Sequence, residues 1–186
     1  MNTRKLAMTI TLTAVTVVLG PRFLGIAIPS FVPGLWFQIW EIVVVAAFFL
    51  LGLKSGVAIA LLNTAVLQVV FPGVPFNKPL ANLVAILSTL LGVYLAYRLI
   101  ARKGSQETPI PERKLIVSST VLGTIFRVVI MMPFLYVVAL FLARPAVIVF
   151  LPLMGVYDVI VALYTVPLGF LIARIVEKNL DLTNKI

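Results

Sequence analysis

The stretch Leu115–Leu142, LIVSSTVLGTIFRVVIMMPFLYVVALFL, carries one charged residue, Arg127, in 28 positions. A helix needs about 20 mostly apolar residues to cross the hydrocarbon core of a bilayer. This stretch therefore predicts a membrane-spanning helix that is long enough to tilt. The rest of the chain has the same character, since 62% of its 186 residues are hydrophobic and 11% are charged. A soluble domain is closer to half apolar and a quarter charged, so lipid must be the solvent for much of this chain.

Five further apolar stretches are separated by short segments that are rich in proline, glycine or charge. One of these breaks is the turn Lys54–Gly56, and the most hydrophilic one runs from Ala101 to Lys114. We predict an all-α, polytopic six-transmembrane-helix bundle that forms a single domain over residues 1–186. The predicted spans are residues 5–19, 36–53, 57–71, 80–100, 115–142 and 151–176.

The basic residues predict how the bundle is oriented. With the N-terminus inside, eleven Lys and Arg residues fall on the cytoplasmic side and three on the outer side. Cytoplasmic loops carry the excess of Lys and Arg in membrane proteins, so we predict that both termini are cytoplasmic in a multi-pass protein of the plasma membrane. The net charge of +9 is then explained by topology and lipid headgroups, and no nucleic-acid partner is expected.

Several kinds of chemistry are excluded by composition. The chain has no Cys and no His, which removes disulfides, thiolate chemistry, zinc sites and His-based acid–base catalysis. It has no G-x-x-x-x-G-K-[ST] loop, so it cannot hydrolyse ATP itself. We expect no enzyme activity, no cofactor and no metal.

Ionisable residues inside predicted spans are costly and mark candidate functional sites. Here they are Glu41, Arg127 and Asp158. The helical rise places Glu41 about 8 Å and Asp158 about 10 Å below the outer surface, with Arg127 near the midplane. The amides Gln68 and Asn82 lie near the outer ends of their spans. This distribution indicates a polar pocket that opens to the outside. The alternative is a structural ion pair between helices, with the amides as interhelical hydrogen-bond partners.

Two tryptophans stand beside the acidic residue of the second span. Trp36 and Trp40 are four positions apart, so on a helix they share one face next to Glu41. They are candidates for stacking on a flat heterocyclic ligand. The alternative is an interfacial aromatic belt.

The first span has small residues at regular spacing, namely Thr3, Ala7, Thr11 and Ala14. Small-xxx-small spacing allows another helix to approach closely. This face is either packed inside the bundle or a docking face for a partner membrane protein.

Several phrases of the sequence resemble the substrate-binding S components of energy-coupling-factor (ECF) vitamin transporters. The resemblance covers nearly the whole chain. It includes the small-residue face of the first span, the acidic residue, apolar run and G-x-x-x-G of residues 41–56 (EIVVVAAFFLLGLKSG), and residues 152–158 (PLMGVYD) of the last span.

The resemblance implies a binding subunit without its own energy source. Such a subunit captures its vitamin from outside and docks on a module of one membrane coupling subunit and two ATPase subunits, which alone use ATP. We therefore predict a substrate site, and docking through the first span. The predicted site residues are Trp36, Trp40, Glu41, Gln68, Asn82, Arg127, Met131 and Asp158.

The vitamin is less closely defined. Residues 127–133 (RVVIMMP) and 79–82 (PLAN) look most like riboflavin-specific members, but Asp158 and Val161 stand where those members have an Asn and a Lys. A cationic vitamin such as thiamine would suit Glu41 and Asp158, and an anionic one such as biotin or pantothenate would suit Arg127. Riboflavin is favoured, folate also stays open, and the alternative in another class is a non-transporting membrane scaffold.

Overall fold

The structure, a computed structural model, describes residues 3–20, 28–70, 78–103, 112–142 and 145–180. Within these ranges the regular structure is helical, apart from one isolated antiparallel bridge between Pro29 and Trp36. The helices are α1 (Thr3–Val18), α2 (Trp40–Leu51), α3 (Leu53–Val70), α4 (Lys78–Lys103), α5 (Glu112–Phe141) and α6 (Pro145–Leu180).

Four of the described helices, α3 to α6, are long and apolar enough to cross a membrane. The second helix is apolar but has only 12 residues, which is about 18 Å at the helical rise. It is therefore shorter than the roughly 30 Å hydrocarbon core. The first helix has 16 residues. The six predicted spans thus correspond to six helices of unequal length.

The helix bounds differ from the predicted spans at two places. The predicted turn at Lys54–Gly56 is wrong, because these residues form the start of α3 and the chain breaks at Gly52 instead. Gly52 has a φ of +89°, a conformation that a residue without a Cβ adopts at little cost. The last helix begins at Pro145 rather than near residue 151, because proline fits the first turn of a helix, where no intrahelical N–H bond is needed.

Five helices close a ring. The second helix packs against α3, α3 against α4, α4 against α5, α5 against α6, and α6 against α2. The first helix lies outside this ring, against α2 and α3. The main core fills the ring between α2, α3 and α4, with buried residues such as Val44, Ile59 and Leu90.

Glycines let the ring helices approach closely. A Cβ placed on Gly92 of α4 would overlap the carbonyl oxygen of Leu122 in α5. A Cβ on Gly169 of α6 would lie 2.7 Å from the Val45 side chain of α2. Two contacts that hold the ring closed therefore depend on the absence of a side chain.

Residues 28–37 fold into a short hairpin at one end of the ring, which we call the hairpin end. The Phe37 N–H donates to the Ile28 carbonyl at 2.9 Å, and the Ser30 N–H donates to the Leu35 carbonyl at 3.1 Å. Gly34 turns the chain with a φ of +78°. Val32, at the tip, is buried against Tyr157 and Val161 of α6. The hairpin therefore lies across the end of the ring, directly before α2.

Candidate functional site

An arginine and two carboxylates meet inside the ring. The Arg127 guanidinium of α5 donates to both carboxylate oxygens of Glu41 on α2, from Nη1 to Oε2 at 2.5 Å and from Nη2 to Oε1 at 3.2 Å. Its Nε donates to Asp158 Oδ1 on α6 at 2.7 Å. We call these three residues the triad. The two-point contact with Glu41 is the strong, geometrically specific form of the Arg–carboxylate pair.

The triad is buried, with 1% of Arg127, 0% of Glu41 and 2% of Asp158 exposed. A neutral hydroxyl completes the contacts, since Arg127 Nη1 lies 3.4 Å from Thr89 Oγ1 on α4. With all three groups ionised, the formal charge of the triad is −1. Buried ions are tolerated when they are paired and hydrogen-bonded, and here one cation serves two anions.

The three groups reach one level because of where they stand on their helices. Glu41 is in the first turn of α2, where the partial positive charge of a helix N-terminus favours an anion. At the opposite end of the bundle, Arg174 of α6 pairs with Glu112 of α5. Arg127 lies 15 positions after Glu112 and Asp158 lies 16 positions before Arg174, so these two helices bring their charges to the same depth.

The sequence predicts Glu41 and Asp158 in the outer half of the membrane and Arg127 near the midplane, and the structure brings all three into contact. A long arginine side chain can reach carboxylates that lie somewhat above its own Cα. The depths of these residues in a membrane stay a prediction.

Arg127 spans the interior of the ring. Along their described lengths, no Cα of α2 comes within 8 Å of a Cα of α5. The Arg127 side chain nevertheless reaches Glu41. The triad consequently joins three helices of the ring, two of which have no close backbone contact with each other.

The tryptophans do not share the predicted helical face, and their part in binding a ligand stays a prediction. Trp36 is in the hairpin, bridged to Pro29, and is partly exposed. Trp40 begins α2 and is 1% exposed, with its Nε1–H donating to Gln38 Oε1 at 2.6 Å. The prediction of a shared helical face is wrong because the helix does not extend back to Trp36. Burial within the core also leaves Trp40 without an open ring face.

Two tyrosines of α6 hold the hairpin end together. The Tyr157 hydroxyl donates to the Trp36 carbonyl at 2.6 Å. The Tyr164 hydroxyl accepts from the Gln38 N–H at 3.1 Å. The ring of Phe37 lies 5.9 Å from that of Tyr157 and 6.2 Å from that of Tyr164. The helix that supplies Asp158 therefore also anchors the segment that leads to Glu41.

The other predicted substrate residues lie apart from these contacts. Met131 is buried one turn beyond Arg127 on α5. Gln68 lies in the last turn of α3 and Asn82 in the second turn of α4, and both are partly buried. Their part in binding a substrate stays a prediction.

The fold has a solved counterpart. It matches a structure described as the S component of a bacterial ECF transporter, with a TM-score of 0.76. The match covers 97% of this chain and 99% of that chain, at 21% sequence identity. This chain has the S-component fold. No protein-family model and no curated protein matches it.

In this S-component fold the small-residue face of α1 points away from the ring. Its members Thr3, Ala7, Thr11 and Ala14 are all exposed. The inward side of α1 is formed by other residues, since Thr9 and Thr16 are buried and Leu12 packs against the main core. Packing within the bundle therefore does not account for the small-residue face. Docking through it stays a prediction.

The sequence does not identify every residue of the site. Thr89 contacts Arg127, but a lone threonine in an apolar span gives no signal, because hydroxyls in such helices commonly bond to their own backbone. Tyr157 and Tyr164 are visible as aromatic residues of the last span, but their hydrogen bonds to the hairpin depend on its fold. In the part of the chain that the structure describes, no group of three or more His, Cys, Asp or Glu residues is arranged to hold a metal ion.

Proposed function

We propose that this protein is the substrate-binding subunit of an ECF-type importer. The observation that carries the proposal is the S-component fold, which covers 97% of this chain and 99% of the matched structure. In this proposal the protein binds a vitamin from outside the cell. It then docks on one membrane coupling subunit and two ATPase subunits, which supply the energy.

The proposed orientation puts the hairpin end outside and both termini in the cytoplasm of a plasma-membrane protein. Four apolar helices support a multi-pass membrane protein. Exposed basic side chains support the orientation, because Lys54, Arg113 and Lys114 all lie on helices at the end opposite to the hairpin. Short segments rich in Lys and Arg favour the cytoplasmic side.

Riboflavin is the favoured ligand. The sequence phrases at residues 79–82 and 127–133 resemble riboflavin-specific members. The triad supports a ligand without negative charge, because the only arginine in it is already paired with two carboxylates. Biotin, pantothenate and folate would each bring an anion to a buried group whose formal charge is −1 when all three residues are ionised, and like charges in a low-dielectric interior repel strongly.

A cationic vitamin such as thiamine is the second candidate. The observation that favours it is the presence of two carboxylates beside one arginine, which leaves one formal negative charge when all three groups are ionised. A cation bound nearby would neutralise that charge, whereas neutral riboflavin would not.

Binding by the purified protein tests the proposal. The protein in detergent is titrated into riboflavin, and flavin fluorescence is followed with excess thiamine, biotin, pantothenate or folate as competitor. We expect saturable quenching at or below micromolar concentration that none of the four competitors reverses. If thiamine displaces riboflavin, thiamine becomes the favoured ligand, and the proposed function as a vitamin-binding subunit still stands. If no vitamin of the panel binds at micromolar concentration, the protein is not an S component of this kind. The alternative of a non-transporting membrane scaffold is then favoured.

A further inference from the structure

One buried side chain inside the ring has no hydrogen-bond partner at either of its polar atoms. Asn63 of α3 is 1% exposed. Within the described part of the chain, neither its Nδ2 nor its Oδ1 has a partner. Burying an amide without compensating hydrogen bonds costs several kcal/mol on scales without hydrogen-bonding solvent, and buried polar groups of native proteins are nearly always paired. Asn63 therefore implies a partner that the described part of the chain does not supply.

The face of α3 on which Asn63 lies points into the ring. Ile59 and Ala60 stand four and three positions earlier, which puts all three on one side of the helix. Ile59 and Ala60 belong to the main core together with Trp40 of α2 and Ile86 of α4. Asn63 continues this inward face by one turn toward the hairpin end.

The depth of Asn63 can be compared with that of the triad. The second and third helices are antiparallel neighbours, and a Cβ on Gly56 would lie 3.2 Å from the Cβ of Phe48, so these two residues are level. Glu41 stands seven positions before Phe48 and Asn63 seven positions after Gly56. Each therefore lies about 10 Å farther toward the hairpin end. Asn63 and Glu41 occupy the same layer on adjacent helices.

The triad does not satisfy Asn63, since neither polar atom of the Asn63 amide is hydrogen-bonded to any of its three residues. The neighbouring polar residue of α3 behaves differently. The Thr64 hydroxyl donates to the Ala60 carbonyl of its own helix at 2.9 Å, so it needs nothing from outside. Among the described residues of this layer, the free donor and acceptor belong to Asn63.

We infer that Asn63 is a substrate-contacting residue whose amide pairs with an adjacent donor and acceptor on the edge of a planar heterocycle. Such edges occur in cyclic imides and amides and in aminopyrimidines, and the imide edge of riboflavin is one of them. Two hydrogen bonds in this geometry also fix the orientation of the ring, as in bidentate recognition generally. The inference rests on the proposed function, because it assigns a contact within that binding site.

The test compares Asn63→Leu and Asn63→Ala with Thr64→Val, a change of similar size at the next position. Riboflavin and 3-methylriboflavin, which lacks the imide N–H, are titrated into each purified protein. We expect Asn63→Leu and Asn63→Ala to weaken riboflavin binding by about tenfold or more, since two hydrogen bonds are lost. In the wild type and in Thr64→Val, the methylated flavin should bind much more weakly than riboflavin. In both Asn63 variants this preference should disappear.

Stability without ligand is the second readout. Replacing a buried, unpaired amide with an apolar side chain removes a desolvation cost, so ligand-free Asn63→Leu should melt at or above the wild-type temperature. A lower melting temperature, with riboflavin binding unchanged, would show that Asn63 has a structural partner and would overturn the inference. Riboflavin affinities within twofold of wild type for both variants would overturn it as well.

Failure of the proposed function looks different. If wild-type protein binds no vitamin of the panel, the proposed function fails and the substrate contact fails with it. If the wild type binds thiamine instead, the same variants are titrated with thiamine, whose aminopyrimidine edge also carries a donor beside an acceptor. Unchanged thiamine affinity in both Asn63 variants would then overturn the inference while the proposed function stands.

Discussion

Arg127 satisfies two carboxylates that come from different helices and lie in the same layer. Removing one partner from a buried ionic group costs more than removing the whole group, because an uncompensated charge remains in a medium that solvates it poorly. The protein is destabilised whichever of the three residues is removed. Loss of the arginine is the most costly change, because it leaves two anions together. Arg127 is therefore the residue on which the packing of α2, α5 and α6 most depends.

We predict that Arg127→Met destabilises the protein by about 3–5 kcal/mol, the range for a broken buried ion pair. Thermal unfolding in detergent, followed by circular dichroism, measures the change. The triple variant Arg127→Met with Glu41→Gln and Asp158→Asn should recover much of the lost stability, because no unpaired charge is left.

The control is Arg113→Met, at an exposed position near the start of the same helix. It should lie within about 0.5 kcal/mol of the wild type, as surface substitutions usually do. A triple variant no more stable than Arg127→Met alone would contradict the charge argument.

The sequence identifies the three charged residues, since each stands in an otherwise apolar span. It does not show that they touch. That contact depends on which helices are neighbours and on where α2 begins, and the start of α2 is set by the hairpin at residues 28–37. Trp36 was assigned to the wrong element for the same reason. An apolar hairpin and the first turns of an apolar helix have the same composition, and only the contacts with Tyr157 and Val161 separate them.

At the scale of helices, the bundle depends on one very close crossing. The fourth and fifth helices meet at Gly92 and Gly123, where the α4 backbone lies against the carbonyl of Leu122. Small residues at such crossings allow van der Waals contact between backbones, which is a main source of association between helices in lipid. Since α5 carries Arg127 and α4 carries Thr89, this crossing also sets the distance between two groups of the site.

We predict that Gly92→Ala destabilises the protein by about 1–3 kcal/mol, because the new methyl group overlaps a backbone oxygen that cannot rotate away. Thermal unfolding in detergent again provides the measurement. Gly155→Ala on α6 is the matched control. Its Cβ would meet only the flexible Met132 side chain, at 3.4 Å, and alanine favours the helix over glycine by roughly 1 kcal/mol.

Gly155→Ala should therefore be neutral or stabilising. Equal melting temperatures for Gly92→Ala and the wild type would show that α4 and α5 can separate without loss.

The existence of the helices was predictable because an apolar run of sufficient length must satisfy its backbone hydrogen bonds internally in lipid. Their ends were less predictable. The predicted spans leave a break before residue 151, yet Pro145 starts α6 and Pro152 lies within it. Local composition does not distinguish a proline that begins a helix from one that ends it.

At the scale of the whole molecule, the ring and its outer helix have different surroundings. Five helices enclose the core and the triad, whereas α1 contacts only α2 and α3 among the described helices. Its small residues lie on the outward side, among the exposed apolar side chains of Leu6, Ile10, Val15 and Val18. Small residues at this spacing allow a second helix to approach closely, and under the proposed function that helix belongs to the coupling subunit.

We predict that Ala7→Trp and Thr11→Trp each abolish vitamin uptake and leave binding by the purified protein unchanged. A tryptophan there holds a docking helix several ångströms away, but it lies outside the ring that contains the site. Uptake of labelled riboflavin is measured in bacteria that supply the coupling subunit and both ATPases, and binding is measured by fluorescence. Val117→Trp, at an exposed position about as far along α5 as Ala7 is along α1, is the control.

If α1 is the docking face, Val117→Trp should transport normally, because a tryptophan in contact with lipid obstructs no partner. Loss of uptake in all three variants would show only that bulk on the lipid-facing surface impairs transport. Normal uptake by Ala7→Trp and Thr11→Trp would place the partner elsewhere on the bundle. The regular spacing of small residues along α1 would then need another explanation, such as contact with a second copy of this chain.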